Sequence, residues 1–243
     1  MRYVLGYAAS LFLLVLILCQ SIIIPTFFMP FFRWQYTRLE VPQNIDIEFD
    51  ELMYVTGHLL DYMRGRRDDL HGIRAVVAGE QRGCALEGYR EFFECREELI
   101  HMVDVRELYD VLFIVRNVAF FAFIASVLAM VLMRLRVLYY LARCTREVFA
   151  GFLGLALIFI VLIALNFDRA FEIFHLILFD NDYWILHPAR SLLINMVPIG
   201  FFMHISVFIG ILMAGVPLLI IGLDSWYLHK EKIMGRLDFG GTR

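Results

Sequence analysis

Four long stretches without a charged residue constrain this chain more than any other feature of its sequence. They cover residues 3–32, 117–133, 148–167 and 191–223. A helix needs about 20 mostly apolar residues to cross the hydrocarbon core of a bilayer, and each stretch approaches or exceeds that length. Because 60% of the residues are apolar and only 19% are charged, the chain is too apolar for a soluble domain. The sequence therefore predicts an integral membrane protein with four transmembrane helices.

The rest of the composition excludes several functional classes. The net charge is -3, and the densest basic cluster is only Arg64, Arg66 and Arg67, so we expect no nucleic-acid partner. The phosphate-binding patterns GxxxxGK[ST] and GxGxxG are both missing from the sequence. The four cysteines form no CxxC pair, which argues against a zinc ribbon and against a thioredoxin-like redox site.

The distribution of arginines predicts the orientation in the membrane. Residues 134–146 contain four arginines, whereas the longer stretch 167–197 contains only two, and short loops rich in Arg or Lys lie on the cytoplasmic side. The first apolar segment is about twice as long as the core of a signal peptide, so it predicts an uncleaved anchor. The predicted segments are transmembrane helix 1 (1–29), an extracytoplasmic helical domain (30–110), transmembrane helix 2 (111–133), a cytoplasmic loop (134–147), transmembrane helix 3 (148–166), an extracytoplasmic interfacial segment (167–197), transmembrane helix 4 (198–222) and a cytoplasmic tail (223–243).

The outer segments are expected to be helical. Residues 30–110 hold 10 arginines, 17 acidic residues and no lysine. This segment is predicted to contain an amphipathic helix, because apolar residues recur at helical spacing, namely Leu52, Val55, Leu59, Leu60 and Met63. A second helix is predicted from Glu87 to Asp110, continuing into the second span, and a short interfacial helix over 170–179. Cys84 and Cys95 would lie about 16 Å apart on a continuous helix, so a disulfide between them requires a break at Gly88.

Three of the seven histidines are predicted to lie near the same outer boundary of the membrane. They are His101, His175 and His204, and histidine is the side chain whose ordinary pKa lies closest to physiological pH. Asp104 follows His101 by three residues and Glu172 precedes His175 by three, spacings that put each acid on the helical face of its histidine. Either acid is predicted to orient an imidazole or to make an ordinary surface pair.

Other reactive groups receive less support. Arg116 lies at the start of an apolar stretch, where an ionisable residue is a functional hypothesis by default; the alternative is a structural pair with Asp110 or Asp168. A metal site formed by the three histidines would lack the usual HExxH or HxH spacing. Ser191 is the single serine in the outer segments and no GxSxG surrounds it. We therefore expect no metal and no other cofactor.

Several short motifs, taken in order, resemble a known family. They are Leu99–Val105 (LIHMVDV), Phe174–Phe179 (FHLILF), the following Asp182–Trp184 (DYW) with His187–Pro188, and Pro198 with Phe201–Phe202. This order and spacing resemble the bacterial membrane family of lipoprotein intramolecular transacylases over nearly the whole chain. The match weakens after Trp184, where His187 and Ser191 stand at positions at which the family would lead us to expect acids.

The resemblance implies an activity, a location and a partner. Members of that family move the sn-2 acyl chain of a diacylglyceryl lipoprotein onto the amino group of its own N-terminal cysteine, which gives a lyso-form lipoprotein. His101 and His175 match the motif histidines implicated in catalysis. The resemblance thus implies a multi-pass protein of the bacterial cell membrane, with its active site on the extracytoplasmic side and with lipoproteins and membrane lipid as partners.

The chemistry of this reaction is compatible with the residues available. The ester and the accepting amine belong to the same lipidated cysteine, so orienting them can contribute about 7–11 kcal/mol and a covalent nucleophile is unnecessary. We assign His101 as base, His175 as acid and oxyanion partner, and Arg116 as the candidate for stabilising the oxyanion. The alternatives are a membrane-anchored binding or scaffold protein and a lipid-ester hydrolase.

Overall fold

The computed structural model describes residues 2–75, 90–91, 93 and 95–240, and most of these are helical. The predicted all-α architecture is confirmed. It is accompanied by one pair of two-residue strands, in which Arg74 pairs with Glu91 in antiparallel orientation. The elements are α1 (Arg2–Thr26), α2 (Met29–Arg38), α3 (Val41–Asn44), α4 (Phe49–Met63), β1 (Arg74–Ala75), β2 (Arg90–Glu91), α5 (Arg96–Leu132), α6 (Val137–Leu165), α7 (Phe167–Leu178), α8 (Leu192–Met196) and α9 (Ile199–Gly240).

Four helices are long and apolar enough to cross a membrane, as predicted. They are α1, α5, α6 and the part of α9 from Ile199 to Met234. Large apolar side chains on these helices are exposed on the protein surface, for example Phe121 at 68% and Leu165 at 77%. Such exposure is unfavourable in water but is expected where the surface contacts lipid. The protein is therefore a multi-pass membrane protein.

The helices have different bounds from the segments predicted by charge. Arg134 adopts a left-handed conformation with φ 53° just after α5, and α6 begins at Val137 within the stretch predicted as the loop 134–147. At the other end, α9 continues to Gly240. Charged residues mark the ends of an apolar stretch, but a helix continues beyond them wherever its backbone hydrogen bonds continue. The limits of the membrane-embedded segments themselves stay predictions.

The predicted second outer helix also begins later than expected. Helix α5 starts at Arg96 and continues without interruption to Leu132, so the predicted continuity with the second span is confirmed whereas the start at Glu87 is not supported. Glu87, Gly88 and Cys84 lie outside the described residues. The prediction about a disulfide between Cys84 and Cys95 therefore stays open.

The chain divides into two compact units, of which the first contains residues 1–23, 113–165 and 208–243. Its core is formed by Leu14, Ile17 and Phe149. Helices α1 and α6 approach closely at Gly6, where an added Cβ would lie only 2.7 Å from Cys144 Sγ. This unit consists of membrane-spanning helix segments that pack through small and apolar side chains.

The second unit contains residues 24–112 and 166–207. The five apolar residues predicted to form one face of α4 are all buried, which confirms that this helix is amphipathic. The hydroxyl groups of Tyr36 and Thr56 lie 2.8 Å apart in a hydrogen bond between α2 and α4. Phe32 packs its ring 5.0 Å from that of Phe201, which anchors α2 to the start of α9.

Side-chain caps fix the first turns of α7 and α8. Asn166 begins α7 by accepting a hydrogen bond from the backbone N–H of Arg169 at 3.0 Å, and Ser191 begins α8 by accepting one from Ile194 at 3.2 Å. Asn and Ser are favoured at this position because their side chains satisfy backbone donors that the first turn leaves free. Between the two helices the chain turns extended at Phe179.

Candidate active site

His175 is held in a defined orientation on α7. Its side chain is buried, with 6% exposure, and its Nδ1 lies 2.7 Å from the carbonyl oxygen of Phe171. A carbonyl oxygen can only accept, so Nδ1 carries the proton and the neutral ring has its lone pair on Nε2. Burial lowers the pKa of His175 from its ordinary value, although the bond to Phe171 acts in the opposite direction. The ring is therefore favoured as a neutral imidazole with a basic Nε2.

Aromatic rings surround this imidazole. The ring of Trp184 stacks on it with centroids 4.7 Å apart and an angle of 27°, and the ring of Phe171 lies 4.3 Å away. Phe179 lies 5.6 Å away on the C-terminal side of the same helix. These rings exclude water from the imidazole, and electrostatic interactions are stronger in such surroundings than in bulk solvent.

His101 joins this cluster from helix α5. Its ring centroid lies 6.1 Å from that of His175 and 5.1 Å from that of Phe179. The Nδ1 of His101 and the Nε1 of Trp184 are both buried without a hydrogen-bond partner among the described residues. The structure thus brings together the two histidines predicted from the sequence motifs. The nitrogens of His101 and Trp184 named above are available for further hydrogen bonds.

Neither predicted acid contacts an imidazole through a hydrogen bond. The carboxylate of Asp104 accepts from the Asn181 amide at 2.9 Å. Glu172 forms an exposed ion pair with Arg169, while His175 is oriented by a backbone carbonyl instead. For Glu172 the geometry corresponds to the ordinary surface pair, and no orienting contact with His175 remains.

Arg116 belongs to the other unit and contacts its own helix. Its Nε and Nη2 donate to the Asn117 side-chain oxygen at 3.1 and 2.9 Å, and the guanidinium lies 5.1 Å from the Phe113 ring centroid. Neither Asp110 nor Asp168 is its ion-pair partner in the described part of the chain. These contacts favour a structural role, and a role at the oxyanion stays a prediction.

His204 has a separate environment. Its Nδ1 donates to Oε1 of the buried Gln35 at 2.8 Å, and its ring lies 5.9 Å from that of Trp34. Within the described ranges, no group of three or more His, Cys, Asp or Glu side chains is arranged to hold a metal ion. The alternative of a three-histidine metal site therefore gains no geometric support.

Two residues of this region were missed by the sequence analysis. Glu98 is only 1% exposed, and its Oε1 accepts from the backbone N–H of Leu193 at 3.0 Å. Trp184 belongs to the DYW motif but was given no role at the site, and it stacks on His175. The one available signal for Glu98 was its position three residues before His101, on the same helical face.

These features define a helical multi-pass membrane protein with a pair of neighbouring histidines, one of them buried, among aromatic rings. A family model described as lipoprotein intramolecular transacylase Lit matches residues 7–202. The chain therefore belongs to the Lit family and is an acyltransferase that acts on lipoproteins.

Solved structures agree with this fold. The integral membrane lipoprotein intramolecular transacylase Lit from Bacillus cereus is 19% identical, with a TM-score of 0.74 over 96% of this chain and 98% of that one. Two variants of that protein, in which a histidine is replaced by arginine or by alanine, match with TM-scores of 0.69 and the same identity, over 96% of this chain and 95% and 96% of theirs. No curated protein sequence matches the chain.

Proposed function

We propose that this protein transfers the sn-2 acyl chain of a diacylglyceryl lipoprotein to the α-amino group of the same lipoprotein's N-terminal cysteine. The observation that carries the proposal is the pair of imidazoles, with centroids 6.1 Å apart, among aromatic rings. Two imidazoles this close can take and give protons at one site, as general acid–base catalysis of acyl transfer requires. Membership of the Lit family supports the same reaction class.

In the proposed mechanism the two histidines act as base and acid. The amine nitrogen attacks the ester carbonyl carbon and forms the new C–N bond. It gives a proton to Nε2 of His175. The bond from the carbonyl carbon to the sn-2 oxygen then breaks. Because burial lowers the pKa of His101 to about 4, His101 is neutral and relays to that oxygen the proton that His175 took, so the products are an amide and a free hydroxyl and both imidazoles are neutral again. The tautomer of His175 supports this order of roles, which reverses the assignment made from the sequence. Each positioned group typically contributes roughly 10²- to 10⁴-fold.

A covalent acyl-enzyme is not needed in this mechanism. Ester and amine belong to one cysteine, so their proximity replaces the second substrate of an ordinary transfer. Ser191 is engaged as the cap of α8, accepting from Ile194 at 3.2 Å, and it is buried with 3% exposure. Burial and the capping bond make its hydroxyl a poor candidate for a nucleophile.

Helix α7 is proposed to lie at the outer membrane interface and to guide the acyl chain. His175 is buried at 6% exposure, whereas the neighbouring Leu176 and Ile177 are exposed at 57% and 75%. An amphipathic helix of this kind lies along a membrane surface with its apolar face in the lipid. The ester of a lipoprotein anchored in the outer leaflet would then reach the imidazole from the apolar side.

Mass spectrometry of lipoprotein N-termini tests this function. Cells with the protein should contain a monoacylglyceryl cysteine that carries an amide-linked acyl chain, and cells that lack it should not. A lyso-lipoprotein with a free amine and a released fatty acid would indicate hydrolysis. Identical N-termini in both strains would favour a binding or scaffold protein, and either of these results would contradict the proposal.

A further inference from the structure

Two acids on α5 lie symmetrically about His101. Glu98 precedes it by three residues and Asp104 follows it by three, so all three share one face of the helix. Each carboxylate bonds one end of the α7–α8 connection, defined here as residues 179–191 with the first turn of α8. Neither acid therefore orients the His101 imidazole by a direct hydrogen bond, and both contact the connection instead.

At the start of the connection, the Asn181 side chain makes two hydrogen bonds. Its amide nitrogen donates to Asp104 Oδ2 at 2.9 Å, and its side-chain oxygen accepts from the backbone N–H of Tyr183 at 3.0 Å. The second bond forms a local turn of the kind that Asn favours. The residue that follows this turn is Trp184, the one stacked on His175.

At the end of the connection, Glu98 contacts the first turn of α8. Its carboxylate accepts from the Leu193 backbone N–H at 3.0 Å. Burial raises the pKa of this acid, and the nearby Ser191 side chain acts in the opposite direction. A carboxylate that is 1% exposed is tolerated only when hydrogen bonds compensate for the lost water. Without this hydrogen bonding the Glu98 carboxylate would be buried with no polar partner. This end of the connection therefore strongly prefers one position along α5.

We propose that Glu98 and Asp104 are positioning residues, which hold the α7–α8 connection on the turns of α5 flanking His101 and so keep Trp184 stacked on His175. This inference rests on the proposed function, because it assigns the two acids to the same histidine pair. Neither acid exchanges protons with substrate. Their effect is to limit the orientations available to the two rings, and misplacement of about 1 Å can cost 10²-fold in rate.

Substitutions of Asp104 separate positioning from charge. Asn at this position keeps an acceptor oxygen for Asn181, whereas Leu removes it. We expect Asp104→Leu to lower kcat by about tenfold or more with KM nearly unchanged, and Asp104→Asn to stay within about threefold of the parent. Glu107 is an exposed acid one turn further along α5, so Glu107→Leu is the matched control and should stay within the same limit.

The same bond can be removed from its other side. Asn181→Ala deletes the donor without placing an apolar side chain on α5, and it should reproduce the kcat loss of Asp104→Leu. Glu98→Gln, which keeps one oxygen for the Leu193 N–H, should lose less kcat than Glu98→Ala. An equal loss for Asp104→Asn and Asp104→Leu would mean that the charge acts directly, and would overturn the inference.

Fluorescence gives a readout that does not depend on turnover. The chain has three tryptophans, so a Trp34→Phe and Trp226→Phe background leaves Trp184 as the single tryptophan. A stacked indole is quenched when the imidazole beside it becomes protonated, so its emission should titrate with His175. We expect this titration to persist in Asp104→Asn and to disappear in Asp104→Leu and Asn181→Ala.

The two readouts distinguish the inference from the function on which it rests. An active His101→Ala variant would contradict the proposed catalytic pair but would leave the fluorescence titration unchanged. Normal kcat together with a normal Trp184 titration in Asp104→Leu and Asn181→Ala would overturn the positioning role, whatever reaction the protein performs.

Discussion

Replacing His175 by glutamine is expected to remove the catalytic base with little change in the fold. Glutamine retains a side-chain N–H that can donate to the Phe171 carbonyl, which His175 Nδ1 contacts at 2.7 Å, but its amide cannot take a proton near neutral pH. Loss of one general base should lower kcat by about 10²- to 10⁴-fold. This corresponds to about 2.7–5.4 kcal/mol of transition-state stabilisation, at about 1.36 kcal/mol for each factor of ten.

Alanine at the same position should have a second effect. The His175 side chain is 6% exposed and lies among the rings of Phe171, Phe179 and Trp184. Truncation of a large buried side chain leaves a cavity and typically costs about 2–5 kcal/mol in the free energy of unfolding. His175→Ala should therefore be both inactive and less stable, whereas His175→Gln should be inactive at nearly the parent stability.

The assay follows acyl transfer in a synthetic diacylglyceryl peptide by mass spectrometry, with purified protein in lipid and thermal unfolding measured on the same samples. His204→Gln is the matched control because it breaks a comparable bond, to Gln35 at 2.8 Å, outside the histidine pair. It should retain most of the rate. A His175→Gln protein that turns over within about threefold of the parent would refute the assignment of His175 as base.

Three further predictions follow from the same contacts. Protonation of the substrate's α-amino group should lower the rate near its own pKa of about 7.7–8.0, and a second fall at lower pH should have its midpoint below the ordinary histidine pKa of about 6.5, because burial lowers the pKa of His175 and only the neutral ring is a base; a second midpoint above about 6.5 in the pH–rate profile would contradict this. Arg116→Met should keep its rate within about threefold, since the guanidinium bonds Asn117 and packs on Phe113; a loss of about tenfold or more, measured in the same peptide assay, would restore its predicted role at the oxyanion. An impermeant thiol reagent should label intact cells at an introduced Arg66→Cys but not at Arg136→Cys, two sites of similar exposure, 68% and 67%; the opposite pattern would reverse the topology.

Local patterns were sufficient to predict the helical architecture from the sequence. Four uncharged stretches predicted four spans because a membrane-crossing helix must satisfy its own backbone and present apolar side chains along its whole length. The spacing of the apolar residues on α4 predicted its buried face for the same kind of local reason. The two histidines were selected by their predicted depth and by motif resemblance, but their separation of 6.1 Å was not predictable from their positions.

Tertiary structure alone decided which groups contact the two acids that flank His101 on α5. The bond from Asn181 to Asp104 joins residues 77 apart in the chain, and the bond from Leu193 to Glu98 joins residues 95 apart. Sequence spacing indicates which side chains share a helical face, but it carries no information on which distant segment packs against that face. The sequence therefore indicated that Asp104 shares a helical face with His101 but not that it contacts Asn181, and Glu98 was overlooked. The tautomer of His175 is by contrast set locally, by the carbonyl of Phe171 four residues earlier on the same helix, whereas the stacking of Trp184 on the ring depends on how the following segment folds back.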